Sequence, residues 1–195
     1  MLTDWFRKAF KWFLDPVARF FARIGLSANA LTIIGCLLNI GAGIVVASGR
    51  LQLGGVCLAI ASGFDGIDGA LARQMGKPTK FGAFLDSTLD RISEAAVLIG
   101  LAWWYMQQPG QIEELLAYVA IVGSMMVSYA RARAEGLGLT CKEGLLTRVE
   151  RCIVLIAGLI LGLSNYALWI LAIGTVFTAI WRIVHVYRQL GDEPL

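Results

Sequence analysis

Six apolar stretches take up most of the 195-residue sequence, and each is close to the roughly 20 residues that a helix needs to cross a bilayer. Of all residues, 57% are hydrophobic and 16% are charged, whereas soluble domains carry about 25% charged residues. The sequence therefore predicts an all-α integral membrane protein, surrounded by membrane lipids, with six transmembrane helices. Their predicted spans are residues 29–49, 52–73, 83–107, 115–134, 150–164 and 166–187.

The N-terminal segment has a different pattern. Over residues 2–14, aromatic and apolar side chains fall near one helical face and basic side chains lie around the other. This is typical of a helix that lies in the membrane interface, and a mobile basic tail is the alternative. We expect an interfacial amphipathic helix over residues 1–15, followed by a six-helix transmembrane domain over residues 16–195.

Basic residues are distributed unevenly among the connecting segments. They cluster in the N-terminal segment and in the second-to-third and fourth-to-fifth connections: Arg7, Lys8, Lys11, Arg19 and Arg23, then Arg73, Lys77 and Lys80, then Arg131, Arg133, Lys142, Arg148 and Arg151. Because cytoplasmic loops carry the excess of Lys and Arg, both termini are predicted on the cytoplasmic side of a prokaryotic membrane. The net charge of +3 is too small to indicate a nucleic-acid partner.

The four cysteines, Cys36, Cys57, Cys141 and Cys152, show no paired or CxxC spacing. Three of them fall in or beside predicted spans. We therefore predict that they are packing residues and neither disulfide partners nor metal ligands.

Four aspartates occur where the second predicted span ends and the third begins. Asp65 and Asp68 are three residues apart, Asp86 and Asp90 are four apart, and each pair therefore shares one helical face. Carboxylates at membrane depth are costly and are functional by default. Two neighbouring helices that aim four carboxylates at one point require cations, and ligand oxygens favour hard divalent ions such as Mg²⁺ or Mn²⁺.

The residues around these aspartates indicate phosphate chemistry. Two cations held there are suited to neutralise the oxygens of a diphosphate during displacement at phosphorus. Gly69 and Gly82 leave room for a nucleotide or a neighbouring helix, and Arg73 is placed to bind a phosphate oxygen through its fork of N–H groups. A carboxylate that is not fully committed to metal is able to accept a proton from an attacking hydroxyl.

Three other interpretations of the acidic residues are weaker. Helix caps and salt bridges with Arg73 and Arg91 explain single aspartates but not the whole spaced set. A transporter or channel predicts carboxylates spread along a path across the bilayer, whereas these lie at one depth. A non-catalytic scaffold predicts the loss of an aspartate, and none is lost.

The motif resembles the signature of a known family. Asp65, Asp68, Gly69, Ala72 and Arg73, an eight-residue gap, and then Gly82, Asp86 and Asp90 match D-x-x-D-G-x-x-A-R followed by G-x-x-x-D-x-x-x-D. This is the signature of the CDP-alcohol phosphotransferases, and the six-span layout agrees with it. The resemblance implies that a CDP-linked lipid, usually CDP-diacylglycerol, donates its phosphatidyl group to an alcohol and releases CMP.

The resemblance also implies roles for individual residues. Asp65, Asp68 and Asp86 would bind two divalent ions, Mg²⁺ or Mn²⁺, and Asp90 would lie close to the metal and act as the catalytic base. Besides Asp65 and Asp68, the CDP-lipid site would include Gly69, Ala72, Arg73, Asn29, Thr32 and Thr79. For Asn29, which follows Ser27 in a capping position, a helix-capping role is equally natural. A homodimer is a further implication of the resemblance.

A second cluster of basic residues indicates which kind of acceptor alcohol the site binds. Arg131, Arg148 and Arg182 fall near the predicted cytoplasmic ends of the last three spans, and guanidinium groups suit an acceptor that carries a phosphate. Together with Ser128 they resemble the acceptor pocket of those family members that join CDP-diacylglycerol to inositol 1-phosphate. We expect a phosphorylated polyol, most simply inositol 1-phosphate. The alternatives are glycerol 3-phosphate, another alcohol, or an archaeal ether-lipid version of the reaction.

Overall fold

The structure, a computed structural model, describes residues 16–17, 19–74, 79–109, 112–141 and 143–191, apart from the side chains of Asp65 and Gln74. These ranges contain six helices of 13 to 27 residues and no strand, so the all-helical prediction is confirmed. The predicted interfacial helix over residues 1–15 lies outside the described residues. The helices are α1 (Ala28–Ala47), α2 (Leu51–Gln74), α3 (Lys80–Met106), α4 (Glu113–Gly136), α5 (Arg148–Ile160) and α6 (Ser164–Leu190).

Each predicted span coincides with one of these helices, but the six differ in their fitness to cross a bilayer. Helices α1, α2, α4 and α6 are long and apolar enough to span it. Helix α3 has 27 residues, with Asp86 and Asp90 in its first half and Glu94 near its middle. Helix α5 has only 13 residues. The chain is thus an integral membrane protein, and the crossing by α3 and α5 stays a prediction.

Polar caps place the starts of α1 and α3. The Ser27 hydroxyl accepts a hydrogen bond from the backbone N–H of Ala30 at 3.1 Å, and the Thr79 hydroxyl accepts one from that of Gly82 at 2.9 Å. Each cap satisfies one of the backbone donors that a helix start leaves without an intrahelical partner. Capping thus falls to Ser27, and the neighbouring Asn29 lies within the first turn of α1.

The helices pack in neighbouring pairs. Helix α1 lies against α2 and α3, α4 lies against α3 and α6, and α5 lies against α2 and α6. The largest buried cluster contains Leu98 and Leu101 from α3 with Leu168 and Leu171 from α6. Large apolar side chains such as Ile44 and Ile173 are exposed on the outer faces, as expected where lipid covers them.

Substitution of Gly43 tests the contact between α1 and α3. A Cβ on Gly43 would lie 2.6 Å from the carbonyl oxygen of Ala96, so Gly43→Ala forces the helices apart. We expect it to destabilise the fold by about 1–3 kcal/mol, measured as a lower Tm in detergent. Gly41→Ala is the matched control, because a Cβ there meets nothing within 4 Å. Equal Tm values for the two variants would contradict close helix packing at Gly43.

Cys36, Cys57 and Cys141 are free thiols, and Cys36 and Cys141 are buried. Burial raises the pKa of the Cys141 thiol, in the loop between α4 and α5, although the nearby charge of Arg182 acts in the opposite direction. The thiol of Cys141 therefore stays protonated at neutral pH, which is consistent with a packing role.

Candidate active site

A cavity of about 200 Å³ lies among the first turns of α1 and α3 and the second half of α2. Its lining includes seven of the eight residues predicted for the CDP-lipid site. The eighth, Asp65, lies in α2 and its side chain is not described. The lining residues are Ala28, Asn29, Thr32, Asp68, Gly69, Ala72, Arg73, Thr79, Gly82, Ala83 and Asp86.

Asp68 joins α2 to α1 at this cavity. Its side chain is buried, and Thr32 Oγ1 lies 2.8 Å from Asp68 Oδ2. The same hydroxyl lies 3.0 Å from the backbone carbonyl of Ala28. The contact with the Thr32 hydroxyl helps to orient the Asp68 carboxylate at the cavity.

Glycine at position 82 permits the close approach of α3 to α1. A Cβ there would lie 3.0 Å from Thr79 Oγ1 and 3.1 Å from Asn29 Oδ1. A Cβ on Gly69 would lie 3.4 Å from Arg73 Nη1, because the guanidinium group folds back along α2. The space that the sequence predicts beside these glycines is thus occupied by polar groups of the cavity.

The cavity combines features that attract anions with features that attract cations. The first turns of α1 and α3 present backbone N–H groups and the positive ends of two helix dipoles, which favour phosphate oxygens. Arg73 adds a guanidinium group, whereas Asp68 and Asp86 add carboxylates. A diphosphate bound beside these carboxylates is repelled unless cations lie between them, and the oxygen donors of Asp68, Asp86 and Asn29 suit Mg²⁺ or Mn²⁺.

The complete metal-ligand set is not visible in the described part of the chain. Among the side chains that the structure describes, no three His, Cys, Asp or Glu residues lie close enough together to hold a metal ion. The predicted set of Asp65, Asp68, Asp86 and Asp90 includes Asp65, whose side chain is not described. That set therefore stays a prediction.

Asp90 lies one helical turn beyond Asp86 on α3, and it is not part of the cavity lining. Its carboxylate accepts from Nη2 of Arg148 at 2.8 Å, and the two side chains are 13% and 31% exposed. Asp90 thus lies between the cavity and the first residue of α5.

The other predicted acceptor residues are distributed over α4 and α6. Ser128 is half-buried, and the exposed Arg131 pairs with Glu135 at 2.8 Å. Arg182 is buried, and it donates from Nε to the carbonyl of Glu143 at 2.8 Å and from Nη1 to the carbonyl of Val127. Arg182 therefore fastens the loop before α5 to α4 and α6. A single pocket formed by Ser128, Arg131, Arg148 and Arg182 stays a prediction.

Sequence reasoning missed one polar cluster. Glu94 on α3 pairs with Arg151 on α5 through two contacts of 2.5 and 2.7 Å, and it accepts from Ser124 of α4 at 2.9 Å. Its position could have indicated a role, because Glu94 continues the four-residue spacing of Asp86 and Asp90 along the same helical face.

Comparison with known proteins identifies the family. The family model for CDP-alcohol phosphatidyltransferases matches residues 26–181. The chain belongs to this family. The resemblance drawn from Asp65 to Asp90 is thereby confirmed, and the protein is a transferase of phospholipid biosynthesis.

Two curated relatives cover nearly the whole chain. Archaetidylinositol phosphate synthase of Methanothermobacter thermautotrophicus is 39% identical over 97% of this chain and 96% of its own length. Phosphatidylinositol phosphate synthase of Corynebacterium glutamicum is 35% identical over 97% of this chain and 89% of its own length. Both relatives are named for an inositol phosphate product.

Solved structures agree with this assignment. The crystal structure of Mycobacterium tuberculosis phosphatidylinositol phosphate synthase with CDP-DAG bound has a TM-score of 0.85 at 32% identity, and the match covers 89% of this chain and 93% of that one. The same enzyme in complex with manganese and citrate has a TM-score of 0.84 at 32% identity, with 89% and 88% covered. That relative of the family therefore binds both a CDP-lipid and a divalent metal.

Proposed function

We propose that this transferase moves the phosphatidyl group of a CDP-lipid onto inositol 1-phosphate and releases CMP. The observation that carries the proposal is the cavity between α1, α2 and α3. It gathers seven of the eight predicted CDP-lipid residues, and Asp90 lies one turn beyond the lining residue Asp86 and beside Arg148.

The donor would bind with its diphosphate at the first turns of α1 and α3. Thr79 and Asn29 offer polar atoms to the phosphate and nucleotide groups, and Arg73 offers its guanidinium. Gly69 and Ala72 add little bulk to this part of α2, so that a cytidine is able to lie against the helix. Two divalent ions, held by Asp65, Asp68 and Asp86 with Asp90 nearby, would neutralise the charge of the diphosphate.

Asp90 would act as the general base. Its carboxylate takes the proton from the acceptor hydroxyl, whose oxygen attacks the lipid-side β-phosphorus of the CDP-lipid. A new phosphorus–oxygen bond forms to the acceptor, and the bond from that phosphorus to the bridging oxygen breaks. The electron pair leaves with CMP, so that charge and atoms balance without a further reactant.

The acceptor would bind near Arg148, on the side of Asp90 that faces α5. Arg148 is the predicted acceptor residue that already contacts the base. The two named relatives differ in their lipid, archaetidyl or phosphatidyl, but share the inositol phosphate product. Inositol 1-phosphate is therefore the better supported acceptor, whereas the lipid tails of the donor are less constrained.

The site would face the cytoplasm. All six helices of the 16–195 domain would lie in the membrane, with residues 1–15 in the interface. Two chains would form a homodimer.

Helix α3 is about 40 Å long, enough for a hydrocarbon core of about 30 Å. Helix α5 is only about 20 Å long, so the turn that joins it to α6 would lie at membrane depth. Irregular backbone is tolerated there where protein satisfies it. The N–H of Gly162 accordingly donates to the Leu159 carbonyl at 3.3 Å, and that of Leu163 donates to the Gly158 carbonyl at 2.7 Å.

The test is CMP release by the purified protein with CDP-diacylglycerol or an ether-linked CDP-lipid and Mg²⁺. The acceptors compared are inositol 1-phosphate, glycerol 3-phosphate, free inositol and serine. We expect inositol 1-phosphate to be preferred over free inositol by about 100-fold or more, because an arginine site built for phosphate rejects an analogue that lacks it. Preference for glycerol 3-phosphate would overturn the acceptor, and no CMP release with any acceptor would overturn the function.

A further inference from the structure

A buried ion pair connects α3 to α5 one turn deeper than Asp90. The side chains of Arg151 and Glu94 are 2% and 8% exposed, and they meet through two parallel contacts of 2.5 and 2.7 Å. A buried pair of this kind adds little net stability, because desolvation opposes the attraction, but it fixes geometry. Its presence inside the helix bundle of a membrane protein therefore indicates a role beyond stability.

The side chain of Glu94, on α3, contacts side chains of both α4 and α5. Besides Arg151 of α5, its Oε1 atom accepts from the Ser124 hydroxyl of α4 at 2.9 Å. Arg151 in turn donates from Nη1 to the carbonyl of Leu146 at 3.1 Å, in the loop that leads into α5. The cluster thus fixes both the side of α5 that faces α3 and the place where α5 begins.

Two successive ion pairs connect α3 to α5, because their residues are spaced by about one helical turn on each helix. Glu94 is four residues after Asp90 on α3, and Arg151 is three residues after Arg148 on α5, so each pair of residues shares a face. Among the described residues, α3 and α5 are not one of the helix pairs whose backbones pack closely. The two ion pairs, Asp90 with Arg148 and Glu94 with Arg151, therefore connect helices whose backbones are not in close contact.

We propose that Glu94, Arg151 and Ser124 are positioning residues for the transfer reaction. The buried ion pair of Glu94 with Arg151 keeps α5 aligned with α3. Arg148 is thereby held beside Asp90, where the acceptor must present its hydroxyl. The residues do not line the CDP-lipid cavity, and they act through Asp90 and Arg148. This inference rests on the proposed function, because it concerns the step in which the acceptor attacks.

Arg151→Lys is the principal test, because it keeps the charge but removes the planar fork. We expect kcat for transfer to fall about 10- to 100-fold, as a small misplacement of reacting groups does. The dissociation constant for CDP-diacylglycerol should stay within about twofold, because none of the three residues lines its cavity. Ser124→Ala, which removes one hydrogen bond and leaves the ion pair, should lower kcat about three- to tenfold.

Two further variants separate positioning from folding. Glu94→Gln combined with Arg151→Gln removes both charges together, so that neither is left buried alone, and it should fold yet show the same loss of kcat. Tyr105→Phe is the matched control, because it removes a half-buried hydrogen bond of α3, 2.8 Å to Ser164, far from the site. We expect its kcat to stay within about threefold of wild type.

The outcomes are distinct. Normal kcat for Arg151→Lys, or equal losses of CDP-lipid binding and kcat, would overturn positioning and leave an ordinary structural ion pair. Both results leave the proposed function intact, because wild type turns over in the same assay. Absence of CMP release by wild type with every acceptor would instead overturn the proposed function and this inference together.

Discussion

Asp90→Asn is expected to lower the rate of CMP release by about 10²- to 10⁴-fold, the usual contribution of a general base. Asparagine has nearly the same shape and still accepts a hydrogen bond from Arg148, so that the contact of 2.8 Å is able to persist. It does not accept the proton of the acceptor hydroxyl. The loss should therefore appear in kcat, while CDP-diacylglycerol binding, governed by the cavity that Asp90 does not line, changes much less.

The experiment measures kcat for transfer to inositol 1-phosphate and, separately, equilibrium binding of CDP-diacylglycerol at saturating Mg²⁺. Thr88→Ala is the matched control on the same helix, since its exposed hydroxyl donates only within α3, to the carbonyl of Phe84 at 2.9 Å. A kcat for Asp90→Asn within tenfold of the control would show that another group takes the proton. Loss of binding together with kcat would show that Asp90 mainly holds the donor or its metal.

The local part of the site was predictable because it depends on helical periodicity. Spacings of three and four residues place Asp68 with Gly69, Ala72 and Arg73 on one stretch of α2 and Asp86 with Gly82 on α3. The connection between the two helices is short, so they meet at a common end. The cavity lining follows from these two facts, and the first turn of α1 completes it.

The partners of the buried arginines were not predictable in the same way. The role of Arg182 in binding the acceptor phosphate stays a prediction, but its hydrogen bonds to the carbonyls of Glu143 and Val127 were not anticipated. Its hydrogen bonds depend on how the loop before α5 lies between α4 and α6, which no local pattern gives. Likewise, Glu94 and Arg151 are 57 residues apart in the chain, and their pairing depends on how α3 and α5 are aligned.

The early end of α5 was also not predictable from a local sequence pattern. Hydropathy predicted a span over residues 150–164, but the helix ends at Ile160 and a turn with a positive φ of 71° at Gly162 follows. Glycine adopts this conformation without the steric penalty of other residues, so the chain reverses there into α6. Apolar composition alone does not distinguish such a turn from a continuing helix.

Removal of divalent ions is expected to lower CMP release about 10³-fold or more, since metal neutralisation at phosphorus contributes several kcal/mol. The physical reason lies in the cavity, where the carboxylates of Asp68 and Asp86 adjoin the proposed place of the diphosphate. Without cations the like charges repel, so that the donor binds weakly as well as reacting slowly. The measurement is CMP release and CDP-diacylglycerol binding in EDTA, followed by addition of Mg²⁺ or Mn²⁺.

Two variants connect this metal requirement to the residues. Asp86→Asn should raise the Mg²⁺ concentration for half-maximal rate by about tenfold or more, because a neutral amide is a weaker ligand than a carboxylate. Glu113→Gln, which removes an acidic group in the first turn of α4, should leave that concentration unchanged. Full activity in EDTA would contradict the metal site. In that case Asp68 and Asp86 would serve to orient Thr32 and the helix ends, and Arg73 with the two helix N-termini would alone have to carry the charge of the diphosphate.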